Sequence, residues 1–113
     1  MLSKPISCRV VSDSMAPLIG VGEMIAVEPL PASTGLNRFD LIVFDYHDQW
    51  FCHYVWDQNR AQKDGILTTR SLKDCTVDDL PIAREKVLGR VLGKRLSWYW
   101  RLRIVLLNLL NRY

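Results

Sequence analysis

Residues 41–56 read Leu41-Ile42-Val43-Phe44-Asp45-Tyr46-His47-Asp48-Gln49-Trp50-Phe51-Cys52-His53-Tyr54-Val55-Trp56. Two short runs rich in β-branched and aromatic residues, 41–44 and 50–56, flank a turn-forming stretch over 45–48, and such runs predict strands rather than helix. Working outward, the same texture recurs at 8–11, 24–28, 66–69 and 86–92. Gly20-Val21-Gly22 and residues 29–35, 59–65 and 78–81 supply the turns between them. The expectation is a mainly β domain, a compact sheet or small barrel. A chain of 113 residues suits a single core.

The tail breaks this pattern. Trp98-Tyr99-Trp100-Arg101-Leu102-Arg103-Ile104-Val105-Leu106-Leu107-Asn108-Leu109-Leu110 contains neither Gly nor Pro and is Leu-rich, which predicts a terminal helix. Arg101, Asn108 and Arg112 fall on one face by spacing, with Val105 among them and Arg103 elsewhere. Residues 86–113 carry 7 Lys and Arg and no Asp or Glu, whereas residues 1–85 carry 8 against 12. A basic, aromatic helix suits a peripheral membrane contact. Packing of its Leu face on the sheet, or on a second copy, is the alternative.

Composition narrows the function classes. At 49% hydrophobic and 24% charged, the chain has the balance of a globular protein. Cys8, Cys52 and Cys75 form no CxxC pair, so free thiols are expected and neither a disulfide framework nor a zinc site is indicated. The opening residues are too polar for a secretory signal, and no stretch approaches the length of a membrane span. These features lead to the expectation of a cytoplasmic or peripherally membrane-associated protein. Leu-rich sequence between the tail arginines suits lipid or protein better than phosphate contacts, so nucleic acid is not an expected partner.

Chemistry is suggested first by Val10-Val11-Ser12-Asp13-Ser14-Met15-Ala16-Pro17-Leu18, where a predicted strand ends at a serine able to present its hydroxyl. It is followed in order by Gly22-Glu23-Met24-Ile25-Ala26-Val27, Phe39-Asp40-Leu41-Ile42-Val43-Phe44, Phe51-Cys52-His53-Tyr54-Val55, Leu67-Thr68-Thr69-Arg70 and Val87-Leu88-Gly89-Arg90-Val91. From Val10 to Val91 this series resembles the S24/S26 serine peptidases, the group of signal peptidases and LexA-type self-cleaving repressors. The resemblance implies a peptidase domain over residues 1–93, with 94–113 as an appended helical tail. It also implies Ser14 as nucleophile and His53 as general base, in the manner of signal peptidases that carry histidine where others carry lysine. An imidazole is largely neutral at pH 7 and can accept the serine proton without special desolvation.

The same resemblance implies an oxyanion hole formed by the Ser14 N–H and the Ser12 hydroxyl. Asp13 stands where the family commonly has Gly or Asn, so its carboxylate is expected to point outward. The family's Thr-Lys-Gly-Asp box appears as Thr69-Arg70-Ser71-Leu72, with Leu72 in place of the acid. A carboxylate to orient His53 must then come from Asp74, Asp78 or Asp79, of which Asp79 is favoured by the Asp-Leu-Pro-Ile context. His47 lies in a turn and is expected to be solvated. Glu23 and Asp40, which follow positions where the family has glycine, are expected to serve the fold. No metal or organic cofactor is implied, and the expected substrate is a peptide or protein segment docking as an added strand. The alternative of a different class is an inactive peptide-binding module on the same fold, for which Leu72 argues. A self-cleaving regulator is disfavoured, since only 13 residues precede Ser14.

Overall fold

The computed structural model describes residues 5–16, 18–31, 34–46, 48–57, 65–73, 75–76, 79 and 81–110. Pro17, His47, Asp74, Asp78 and Arg112 lie outside the described residues. The architecture is mainly β, with a C-terminal helix. The strands are β1 (Ile6–Arg9), β2 (Met24–Pro29), β3 (Leu41–Tyr46), β4 (Gln49–Asp57), β5 (Ile66–Arg70), β6 (Ile82–Ala83) and β7 (Val87–Leu92). A 3-10 turn over Arg84–Lys86 precedes β7, and helix α1 spans Trp98–Leu110. The strands form one antiparallel sheet in the order β1-β2-β7-β3-β4-β5-β6.

β3 is the centre of the molecule. Leu41, Ile42, Val43 and Phe44 are all buried, and the sheet's period of two sends them alternately to opposite faces. Leu41 and Val43 join a cluster with Met15, Ile19, Tyr54, Leu96 and Ile104. Ile42 and Phe44 join another with Leu36, Val55, Leu67, Ile82 and Val87. β4 is split the same way, Cys52 and Tyr54 packing on the first cluster and Phe51 and Val55 on the second.

Strand ends differ from expectation by up to two residues, and Asp45 and Tyr46, expected in the turn, extend β3 and pair with Trp50 and Gln49 of β4. β1 lies two residues earlier than residues 8–11: pairing with β2 begins at Ile6 opposite Val27, and past Arg9 the Val10 N–H and C=O bond Glu23 O and Gly22 N–H at the turn leading into β2. Lys86 belongs to the 3-10 turn rather than to the last strand. β6, only two residues long, carries too little sequence for periodicity to reveal it.

The acidic positions expected to serve the fold do so. Glu23 accepts the Gly20 N–H at 3.2 Å and pairs with Lys94 at 2.6 Å, and the Lys94 ammonium holds its carboxyl below the usual range. Asp40 accepts the Asn37 N–H at 2.8 Å and closes the turn into β3. Gly89 allows β7 to lie against β2, since a Cβ there would overlap the Glu28 carbonyl and Val27.

Phe39, where the resembling family has glycine, sits at φ 76°, a left-handed conformation that disfavours a bulky residue. Its ring offsets that strain by packing 6.0 Å from Tyr54 and 6.1 Å from Trp56, with the Arg101 guanidinium 5.6 Å away. Phe39→Gly relieves the backbone but loses the ring, whereas Phe39→Ala loses the ring and keeps the strain. Urea unfolding should therefore find Phe39→Gly more stable than Phe39→Ala by about 1 kcal/mol, and the reverse order would refute the backbone argument.

Candidate active site

β4 delivers His53 from the middle of a strand whose neighbours are buried. The imidazole packs edge-on to Phe44 at 5.8 Å and near Phe51 at 6.2 Å, and its side chain is 12% exposed. These rings leave the imidazole a narrow choice of orientation. Its Nδ1 lies 2.6 Å from Asp79 Oδ2, and the same oxygen accepts the Thr69 hydroxyl at 2.9 Å. Asp79 is in turn held by its own backbone N–H, which donates to Thr69 O at 3.0 Å. A carboxylate at Nδ1 favours the proton on that nitrogen, leaving Nε2 as the basic atom.

Of the three acids considered from sequence, Asp79 is therefore brought to His53. Asp74 and Asp78 lie outside the described residues. Leu72 is buried in the first core cluster beside Tyr54 and Met15, so its position contributes to packing. Thr69 was missed as a member of the site. Its position within the Thr-Arg box was the available signal, but nothing in sequence pairs it with an acid ten residues later.

Ser14 sits in the turn between β1 and β2, half-buried, with Met15 fully buried beneath it. Burying Met15 anchors the turn so that Ser14 stays at the surface. The Ser14 N–H donates to Ser12 Oγ at 3.1 Å, and its C=O accepts the Lys73 N–H at 3.0 Å. Asp13 points outward, as the resemblance implies, and pairs with Lys73 Nζ at 3.0 Å; that ammonium lowers its carboxyl below the usual range.

Ser14 and His53 are not joined by a hydrogen bond in this structure. Ser14 lines a cleft of about 550 Å³ bounded by β1 and by the Gln49–Cys52 end of β4. His53 and Asp79 line a smaller cavity of about 200 Å³ with Phe44, Tyr46 and Ile82. Phe51 is common to both linings, but the Ser14 cleft lies on the Cys52 face of β4 and the His53 cavity on the opposite face.

No protein-family model and no curated protein matches the chain. Among the described residues, no group of three His, Cys, Asp or Glu side chains is placed to hold a metal ion.

Cys8 and Cys52 are both free and line the Ser14 cleft. Burial, with a smaller contribution from Cys8, pushes the Cys52 thiol up to about 12. At pH 8 it is then almost wholly protonated and a poor nucleophile. Iodoacetamide at pH 8, followed by mass spectrometry, should modify Cys52 last of the three cysteines in the native protein and as readily as the others in denaturant. Early native labelling of Cys52 would contradict its burial.

Proposed function

We propose that the chain is a serine endopeptidase of the signal-peptidase type, with Ser14 as nucleophile, His53 as general base and Asp79 as the residue that orients the imidazole. The observation that carries this reading is the 2.6 Å contact between His53 Nδ1 and Asp79 Oδ2, itself fixed by Thr69. A half-buried histidine with one nitrogen pinned by a carboxylate is the arrangement a serine nucleophile requires of its base.

In the proposed reaction Nε2 takes the Oγ proton as Ser14 attacks the scissile carbonyl carbon. The Asp79 carboxylate stabilises the imidazolium that forms. The oxyanion gathers the Ser14 N–H and the Ser12 hydroxyl, which exchange their mutual contact for it; each such donor lowers the barrier by a few kcal/mol. His53 passes its proton to the leaving amine, leaving an acyl ester on Ser14. Water, deprotonated by His53, then releases the acyl group and restores the serine.

The substrate segment is expected to add to the outer edge of β1, which pairs with β2 on its other side, and to run along the cleft that ends at Ser14. Because the Ser14 cleft lies on the Cys52 face of β4 and His53 projects from the opposite face, the reaction requires substrate binding to carry the Ser14 turn to His53 Nε2.

A second reading rests on the placement of Ser14 and His53 along separate cavities with no hydrogen bond between them. On that reading the fold is a peptide-binding module without turnover. A fluorophosphonate probe separates the two. The peptidase reading expects wild-type protein to be acylated at Ser14, with labelling abolished by Ser14→Ala and reduced at least a hundredfold by His53→Ala. Asp79→Asn, which removes the charge that fixes the tautomer, should slow labelling by about three to four orders of magnitude. Folded wild-type protein that takes up no probe yet binds extended peptides would establish the binding module instead.

A further inference from the structure

We infer that α1 is an interfacial helix that seats this domain on an anionic lipid surface. This rests on the helix alone and is independent of the peptidase reading. The helix is attached to the body by one narrow seam. Ile104 is buried, Trp100, Leu107 and Asn108 are half-buried, and these positions recur at the three- and four-residue spacing of a single helical stripe.

Asn108, the polar residue nearest the middle of the Leu-rich end, faces inward. Its Oδ1 accepts Arg70 NH1 at 2.5 Å, and its Nδ2 donates to Cys75 O at 3.2 Å and Ile104 O at 2.8 Å. Arg70 is itself buried, donates to Cys75 O at 2.9 Å and stacks 4.1 Å from the Trp56 ring. The rotation of the helix is therefore fixed by polar contacts on its inner side.

That rotation turns the apolar face outward. Trp98, Leu102, Val105, Leu106 and Leu109 are all exposed, Trp98 by 76%, and with Tyr99 and Leu110 at the margin they fill an arc of about 140° opposite the docked seam. Arg101 and Arg103 border this arc on either side. Apolar side chains flanked by cations, with a Trp and a Tyr at one end, match the depth profile of a lipid interface, where aromatic rings lie at headgroup level and cations meet anionic phosphates.

The charge decides the occupant. The helix carries Arg101 and Arg103 beside this face and no acid, so apposing the face with its own copy would bring these cations together with no counter-charge from either helix. Among the described residues no helix is long and apolar enough to cross a membrane, so the contact proposed is with the surface.

Sedimentation with vesicles tests this, using phosphatidylcholine alone and phosphatidylcholine with about one part in three of phosphatidylglycerol. Wild-type protein should partition onto the anionic vesicles and not the neutral ones, with a blue shift in tryptophan emission. The double variant Leu106→Asp with Leu109→Asp should lose at least tenfold in partitioning, with circular dichroism and hydrodynamic size unchanged, because neither side chain enters the core. Arg103→Gln should weaken partitioning about fivefold, as loss of one cation near such a surface does. The inference fails if wild-type protein ignores anionic vesicles, or if the double variant binds as well as wild type. It fails equally if wild type dimerises without lipid and the double variant does not, or if it is retained by RNA in preference to vesicles.

Discussion

The structure depends on the register of one strand pair. Along β4, Cys52 and Tyr54 face the Ser14 turn and the helix, while Phe51, His53 and Val55 face Ile82 and Asp79. β3 enforces this division, because Leu41 pairs with Tyr54 and Ile42 with His53, and all four β3 residues from Leu41 to Phe44 are buried. A slip of one residue would turn His53 toward the first cluster and Cys52 toward Asp79, exchanging the two faces outright. The apolar demand of both clusters thus fixes where a titratable side chain lies, and the chemistry inherits its geometry from packing.

The candidate site is assembled from elements with unequal support. His53 lies on a strand paired on both sides, and Asp79 lies in the connection that leads to β6. Thr69 bridges this difference, since its backbone carbonyl holds the Asp79 N–H and its hydroxyl holds the carboxylate. The carboxylate is consequently oriented before it meets the imidazole, which reduces the entropy lost in making that contact. Ser14 is held differently, by the buried Met15 below it and the Lys73 N–H behind it.

The sequence made the regular elements readable because their signals are local. Runs of β-branched and aromatic residues located all six expected strands to within two residues at either end, and the Leu-rich, Gly- and Pro-free tail located α1 at Trp98–Leu110. β6 and the 3-10 turn at Arg84–Lys86 escaped because each spans only a single period of its own pattern, too little for a repeat to show. Within the site, the His53–Asp79 contact spans 26 residues and was approached only through the Asp-Leu-Pro-Ile context, while Thr69 left no trace as a partner. Spacing also cannot show which side of β4 a neighbouring turn will occupy. The separation of Ser14 and His53 onto opposite faces of β4 was accordingly invisible before the fold was known.

The helix shows why periodicity alone misjudges a surface element. Read as a wheel, Asn108 counts as polar and therefore outward, and the Leu positions count as core. The fold reverses both assignments: Asn108 turns inward to Arg70 and the Cys75 carbonyl, and Leu102, Leu106 and Leu109 turn outward. Since Asn108 and the exposed Leu positions lie on opposite sides of one rigid cylinder, satisfying the first necessarily exposes the second. The apolar face thus comes with the inward rotation that Asn108 fixes, and it becomes an advantage only where another apolar phase is present to receive it.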